Sequence, residues 1–321
     1  DQSHYSVARN VKIMGLGNDA LIRVPFDKDN RMRTGLLGKY YEKALQKGIQ
    51  PAAVIANSCS TATGSYDDLM EIADFCGKHD LWLHVDGAHG MGVLFSGKYR
   101  HLVRGIERAD SVVIDFHKML LVPALNTMVL FRDGRRSHET FAQKASYLFK
   151  KQNDNEWYNS AKRTLECTKS SLGFAAFTAF KYYDREYFCN YIDSRYDLAK
   201  RFSEMIKEKD SFEAALEPHA NIVCFRYNPC SLETEELNRL NADRRLPFET
   251  AARVFDDFSR RLGRWRDGPG DDQPAADYCR IAMTYHVGAF AAVIAQQRNR
   301  RRQFQTAQVD HNVAIRRNRH S

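Results

Sequence analysis

The sequence contains no run of eighteen apolar residues, so no segment is long enough to cross a bilayer as a helix. It has no C-x-x-C pair. Its seven cysteines, at positions 59, 76, 167, 189, 224, 230 and 279, are odd in number and scattered. That pattern argues against a thiolate zinc site and against a disulfide framework, and free thiols in a reducing cytoplasm are the simplest account. A G-x-S-x-G elbow and a P-loop are both absent, and Gly15-Leu16-Gly17 lacks the third glycine of a dinucleotide fingerprint. The opening Asp1-Gln2-Ser3-His4 has no initiator methionine, basic n-region or apolar h-region, and reads as neither a signal peptide nor a natural beginning. Lysine runs out along the chain. All 17 lie at or before Lys209, whereas 15 of the 31 arginines follow residue 240.

What remains is ample for a folded protein. The 321 residues are 43% hydrophobic and 12% aromatic, enough to bury a sizeable core. The net charge of +8 comes mostly from residues 297–321, where seven arginines face one aspartate; that surplus of six leaves the rest near +2. Without a basic stripe in the body, no nucleic-acid partner is expected. The switch from lysine to arginine sets 241–321 apart as an unassigned segment, disordered or frame-shifted. The stretch Arg266-Asp267-Gly268-Pro269-Gly270-Asp271-Asp272 reads as a loop or linker.

Up to residue 240 the pattern alternates helix and strand. Helical spacing of apolar residues runs over Leu36–Gln46 and Asp68–Lys78, and longer helices are expected over Ser160–Tyr183 and Tyr187–Lys207. Strand-length apolar runs occupy Ala52–Ala56, Leu81–Val85, Ser111–Ile114, Thr127–Phe131 and Asn221–Tyr227. The inner pair is nearly continuous in apolar character, as parallel strands covered on both faces require. This order predicts an α/β architecture followed by a smaller α+β portion.

Ligands of open α/β sheets bind beyond the carboxyl ends of the strands. Two such ends carry chemistry: Leu83-His84-Val85-Asp86-Gly87-Ala88-His89-Gly90, and Val112-Val113-Ile114-Asp115-Phe116-His117-Lys118-Met119. An acid closing one strand and a His-Lys pair following another converge on one cleft. That pairing suits pyridoxal phosphate. A lysine amine joins the aldehyde, and a carboxylate keeps the pyridine nitrogen protonated so that the ring withdraws electrons from the α-carbon. A His/Asp metal site built on His84, Asp86 and His89 is the competing idea. His84 is more simply a strand histidine with a local partner, and no metal is expected.

The ordered motifs carry a resemblance. His84 to Gly92, Gly105-Ile106-Glu107-Arg108-Ala109-Asp110-Ser111 and His117-Lys118-Met119 resemble the group II pyridoxal-phosphate-dependent amino-acid decarboxylases. These comprise the glutamate, cysteine-sulfinate, aromatic-amino-acid and diaminobutyrate enzymes. Asp1-x-x-His4-Tyr5-Ser6 is similar to their D-x-x-H-Y-S stretch, and Asn57–Asp67 to their A-G-T-T-x-x-G-x-x-D turn. Arg163–Lys169 and Asn221–Tyr227 also resemble family segments, so the likeness covers roughly residues 1–240.

The resemblance implies the type I pyridoxal-phosphate-dependent transferase fold, a mostly parallel sheet covered by helices with part of a small α+β C-terminal domain. Residues 1–185 would be a partial large cofactor-binding domain and 186–240 the start of the small one. Lys118 would be the Schiff-base lysine and Asp86 the partner of the pyridine nitrogen. His4 would stack on the ring as a catalytic residue, with Ala88 on the opposite face, Thr61 near the phenolic oxygen and His117 beside the phosphate. The implied activity is α-decarboxylation of a small-molecule L-amino acid by a cytoplasmic homodimer. The alternatives are a catalytically silent fragment and another reaction of the fold, such as transamination. Two departures stand out: Asp115-Phe116 replaces the family's usual Asn-Pro, and Cys59 replaces the glycine before its Thr pair. An acid at 115 sets negative charge beside the implied phosphate position. The family also has a long region ahead of the D-x-x-H-Y-S stretch, so the chain is expected to be a fragment with little or no activity. Arg280, in a stretch faintly similar to the family's substrate-arginine motif, is left unassigned.

Overall fold

The structure, a computed structural model, describes residues 1–141, 159–166 and 168–228. The segment 241–321, Arg280 included, lies outside them, as does Cys167 within the Arg163–Lys169 motif. The chain begins with α1 (Tyr5–Ile13) and α2 (Leu37–Gln46), then enters the sheet through β1 (Ala53–Asn57). Helix α3 (Leu69–His79) leads to β2 (Trp82–Asp86), β3 (Ser111–Asp115) and β4 (Thr127–Phe131). After α4 (Arg135–Phe141) come α5 (Leu172–Tyr182), α6 (Arg185–Lys207) and a ribbon of β5 (Phe212–Ala214) with β6 (Phe225–Tyr227).

The main sheet has the order β1-β2-β3-β4, the first three parallel and β4 antiparallel to β3. Mostly parallel strands with helical crossovers are what the alternating pattern predicts. Helix α3 shows why such a crossover forms. Asp68 caps it by accepting from the Glu71 amide at 3.1 Å, and Leu69, Ile72, Ala73 and Cys76 give one buried stripe at helical spacing. It ends at Asp80, whose φ of 51° is left-handed.

Helix α6 serves two cores. Asp184 caps it through the Tyr187 amide at 2.7 Å. Its first half buries Phe188, Ile192 and Tyr196 in the main core, whereas Ile206, near its end, packs with Phe212 beneath the β5–β6 ribbon.

Two expectations need correction. The helix predicted over Ser160–Tyr183 forms only from Leu172, preceded by a 3-10 turn at Ser160–Lys162. The intervening residues are rich in Ser and Thr, which bond their own backbone; Thr164 Oγ1 lies 2.9 Å from the carbonyls of both Ser160 and Glu166. The strand expected over Asn221–Tyr227 pairs only at Phe225–Tyr227. Its first residues pack sideways instead, with Asn221 Oδ1 2.8 Å from His89 Nε2 and Ala220 and Ile222 closing on Gly64.

One buried acid joins the N-terminal segment to the sheet. Asp67 is 3% exposed and accepts from the Met32 amide at 2.7 Å on one oxygen. Its other oxygen accepts from the Asn57 amide at 2.7 Å and the Asn57 side chain at 3.0 Å. Burial raises its pKa despite these donors. Asp67→Asn keeps the shape but places an amide group against backbone donors on both sides. It should therefore destabilise the fold by about 1–3 kcal/mol in a urea titration; an unchanged midpoint and slope would refute this role.

Candidate cofactor site

The site is built where the carboxyl ends of β1, β2 and β3 meet. Register pairs Asn57 with Asp86 and Asp86 with Val113. Because side chains alternate along a strand, His84 and Asp86 share one sheet face with Ser111, Val113 and Asp115. The contacts agree: His84 Nδ1 lies 2.8 Å from Ser111 Oγ, which also accepts from Trp82 Nε1 at 2.8 Å. Burial lowers the pKa of His84, and Asp86 opposes that shift. Its ring has a local partner, and no cluster of three or more metal-ligating side chains occurs among the described residues.

Beyond β2 the chain turns tightly. Ala88 donates its amide to Asp86 Oδ1 at 3.2 Å, and its carbonyl accepts from the Asp115 amide at 3.1 Å. Ala88 thus bridges the ends of β2 and β3. Gly90 is required by close approach, because a Cβ there would lie 2.4 Å from the Cys59 nitrogen and 2.6 Å from Tyr66 Oη. The loop after β2 is thereby pressed against the turn after β1.

Beyond β3, the Lys118 amide donates to the Asp115 carbonyl at 3.1 Å, and Phe116 donates to Asn126 at 2.9 Å. This turn carries the Lys118 Nζ to 2.9 Å from Asp115 Oδ2, with the lysine side chain 33% exposed. His117 is fixed by its Nδ1, 2.8 Å from the Asn126 carbonyl. Cys59 lies within the fields of both Asp86 and Lys118. Burial pushes its thiol up to about 12, with Asp86 adding to the rise and Lys118 opposing it. The predicted acid and lysine therefore stand at the carboxyl ends of neighbouring parallel strands.

Thr61 and His4 are placed by the turn after β1 and by the cap of α1. Thr61 is exposed on the turn that follows β1, closed by the Gly64 amide on the Ser60 carbonyl at 2.8 Å. His4 caps α1, its Nδ1 2.8 Å from Ser6 Oγ and its ring tilted against Tyr5 at 4.1 Å. Gln2, two residues earlier, accepts from Ser60 Oγ at 3.3 Å, which moors that segment to the same turn.

Sequence reasoning gave no roles to three features. Asp115 was noted only as a departure. Tyr66 and Tyr196, 130 positions apart, place their hydroxyls 2.5 Å apart under Gly90, whose carbonyl accepts from Tyr66 at 2.9 Å. Asp67 matches the final acid of the turn that resembles A-G-T-T-x-x-G-x-x-D, and that position is the only signal the sequence offers.

The chemistry of the donor set fits pyridoxal phosphate. A reachable amine, a carboxylate on the adjacent strand end and a small residue between them are the groups that cofactor needs.

Known proteins resemble this chain over most of the described residues. The model of the pyridoxal-dependent decarboxylase conserved domain matches residues 1–228. An aspartate 1-decarboxylase of Aliivibrio fischeri is 32% identical over 233 residues, covering 73% of this chain and 42% of that one. A cysteine sulfinic acid decarboxylase of Rattus norvegicus is 34% identical over 239 residues, covering 72% and 47%. Among solved structures, mouse CSAD in apo form aligns with a TM-score of 0.67 at 31% identity, covering 74% and 49%. The chain spans about half the length of the curated relatives it matches. With the family domain running unbroken through His4, Asp86 and Lys118, the chain belongs to the pyridoxal-dependent decarboxylase family.

Proposed function

We propose that the protein to which this chain belongs removes the α-carboxylate of an L-amino acid as carbon dioxide, leaving an amine, with pyridoxal 5'-phosphate as cofactor. The observation that carries this reading is the placement of Asp86 at the carboxyl end of β2 and of Lys118 on the turn after the adjacent, parallel β3. When bound, the cofactor supplies the electron sink that decarboxylation needs. The chain's own residues hold it: Lys118 offers the amine, Asp86 the charge for the ring nitrogen, Ala88 a small contact, His4 a ring to stack, Thr61 and His117 polar contacts. The relatives, which include aspartate, aromatic-amino-acid and cysteine sulfinic acid decarboxylases, support an amino-acid substrate.

The rest of the reading follows the family. A homodimer with its sites at the subunit interface is the expected assembly. The free thiols Cys59, Cys76, Cys189 and Cys224 suit a cytoplasmic protein. No helix among the described residues is long and apolar enough to cross a membrane. Residues 1–185 are assigned to the cofactor-binding portion and 186–240 to the start of the smaller one, whose β5–β6 ribbon packs a small core of its own on Ile206.

Incubation with excess cofactor and aspartate, glutamate, cysteine sulfinate, diaminobutyrate or an aromatic amino acid tests the reaction. Equimolar carbon dioxide and amine are the expected products. A keto acid without carbon dioxide would assign transamination and overturn the proposal.

A further inference from the structure

Thr61 lies on the turn after β1 and Ala88 on the loop after β2. Beside each of them stands a residue that reaches one short segment, His219–Cys224, which leads into β6. On the turn, the Ala62 carbonyl accepts from Cys224 Sγ at 3.2 Å. Gly64, with a φ of 74°, closes the same turn, and a Cβ on it would lie 3.1 Å from Ile222 Cβ and 3.2 Å from Ala220 Cβ. The segment therefore presses directly on the turn's backbone. On the loop, His89 Nε2 stands 2.8 Å from Asn221 Oδ1. An amide oxygen only accepts, so the ring nitrogen donates. The buried Tyr66 already joins turn to loop once, its hydroxyl donating to the Gly90 carbonyl at 2.9 Å. The segment joins them a second time, through a residue 132 positions beyond His89.

We propose that Asn221 is a positioning residue that holds the turn after β1 and the loop after β2 in one arrangement, and so sets Thr61 and Ala88 relative to each other. Its side chain takes the loop through His89, while its neighbours Ala220 and Ile222 sit against Gly64. One short segment thus grips both. Loops with few bonds of their own open locally, at a cost set by the contacts that tie them down. Removing the Asn221 acceptor lowers that cost for the loop directly and for the turn through the neighbours that Asn221 anchors. The bearing on the cofactor rests on reading Thr61 and Ala88 as its contacts, but the grip itself does not.

The test is amide hydrogen exchange of the full chain without cofactor, read by peptide mass spectrometry. In Asn221→Leu, which keeps the volume and removes the acceptor, peptides spanning residues 58–66 and 86–92 should both exchange roughly 3–10-fold faster, the scale of one lost hydrogen bond. Asn221→Asp keeps an oxygen in place of Oδ1 and should restore the original protection. His89→Phe removes the donor instead and should accelerate the same two peptides, so it carries the comparison if Asn221→Leu fails to fold. Peptides from α3, which lies in the main core, are the internal reference and should not change. Unchanged exchange in both peptides, or acceleration confined to one of them, overturns the proposal. Equal acceleration in α3, or no recovery in Asn221→Asp, marks general loosening and overturns it as well. The experiment contains no cofactor, so its failure is distinct from a failure of the cofactor assignments, which stand or fall on absorbance and activity.

Discussion

Lys118→Ala abolishes the visible absorbance that the protein acquires with pyridoxal 5'-phosphate, and Lys98→Ala leaves it in place. The expectation follows from where each amine stands. Lys118 is carried on the turn after β3, one third exposed, next to the strand that Asp86 closes. Lys98 is paired with Asp197 on the surface, beside the Tyr99 ring. Removing the Lys118 side chain leaves the turn's backbone bonds intact, from Lys118 to Asp115 and from Val122 to Phe116 at 3.0 Å, so the loss is chemical rather than structural. Borohydride reduction followed by peptide mass spectrometry locates the adduct, which should sit on Lys118 alone. A band that survives in Lys118→Ala, or an adduct on another lysine, refutes the assignment.

Asp86→Asn lowers turnover by roughly 10²–10³-fold, the scale on which one preorganised electrostatic group acts, while cofactor absorbance survives. Asparagine keeps the oxygen that accepts from the Ala88 amide but removes the negative charge. A ring nitrogen without that charge beside it loses its proton more readily and becomes a weaker electron sink. A second readout does not depend on catalysis. Burial already lowers the pKa of His84, and Asp86 pulls it back up. Without that carboxylate, the His84 titration followed by NMR should move further down. Near-normal turnover in Asp86→Asn defeats the electron-sink role; an unmoved His84 defeats the proximity of the two side chains.

These two residues were legible early because their signals are local. Asp86 closes one short apolar strand, Lys118 follows the end of another by three residues, and the motifs around them follow one another along the chain. Strand positions β1 to β4 were likewise readable within a residue or so, since apolar runs bounded by polar turns depend on near neighbours only. The contacts of Asp115 were not readable. Sequence shows an acid beside a phosphate-binding motif, but not that the following turn folds Lys118 back onto it or that β4 brings Thr127 alongside.

By itself, then, the sequence determined the alternation of helices and strands, the acid and lysine at neighbouring strand ends, and the family to compare. Those depend on periodicity, capping and short spacings, which act over a few residues. Tertiary structure alone decided that β4 runs antiparallel and that Asn221 docks on His89. It also decided that Asp67 spends its two oxygens on Met32 and Asn57, and that Tyr66 meets Tyr196 beneath Gly90. Each of these joins residues far apart in the chain. Their geometry is fixed only once the whole core has closed, because a buried polar group takes whichever partner the packing brings within reach.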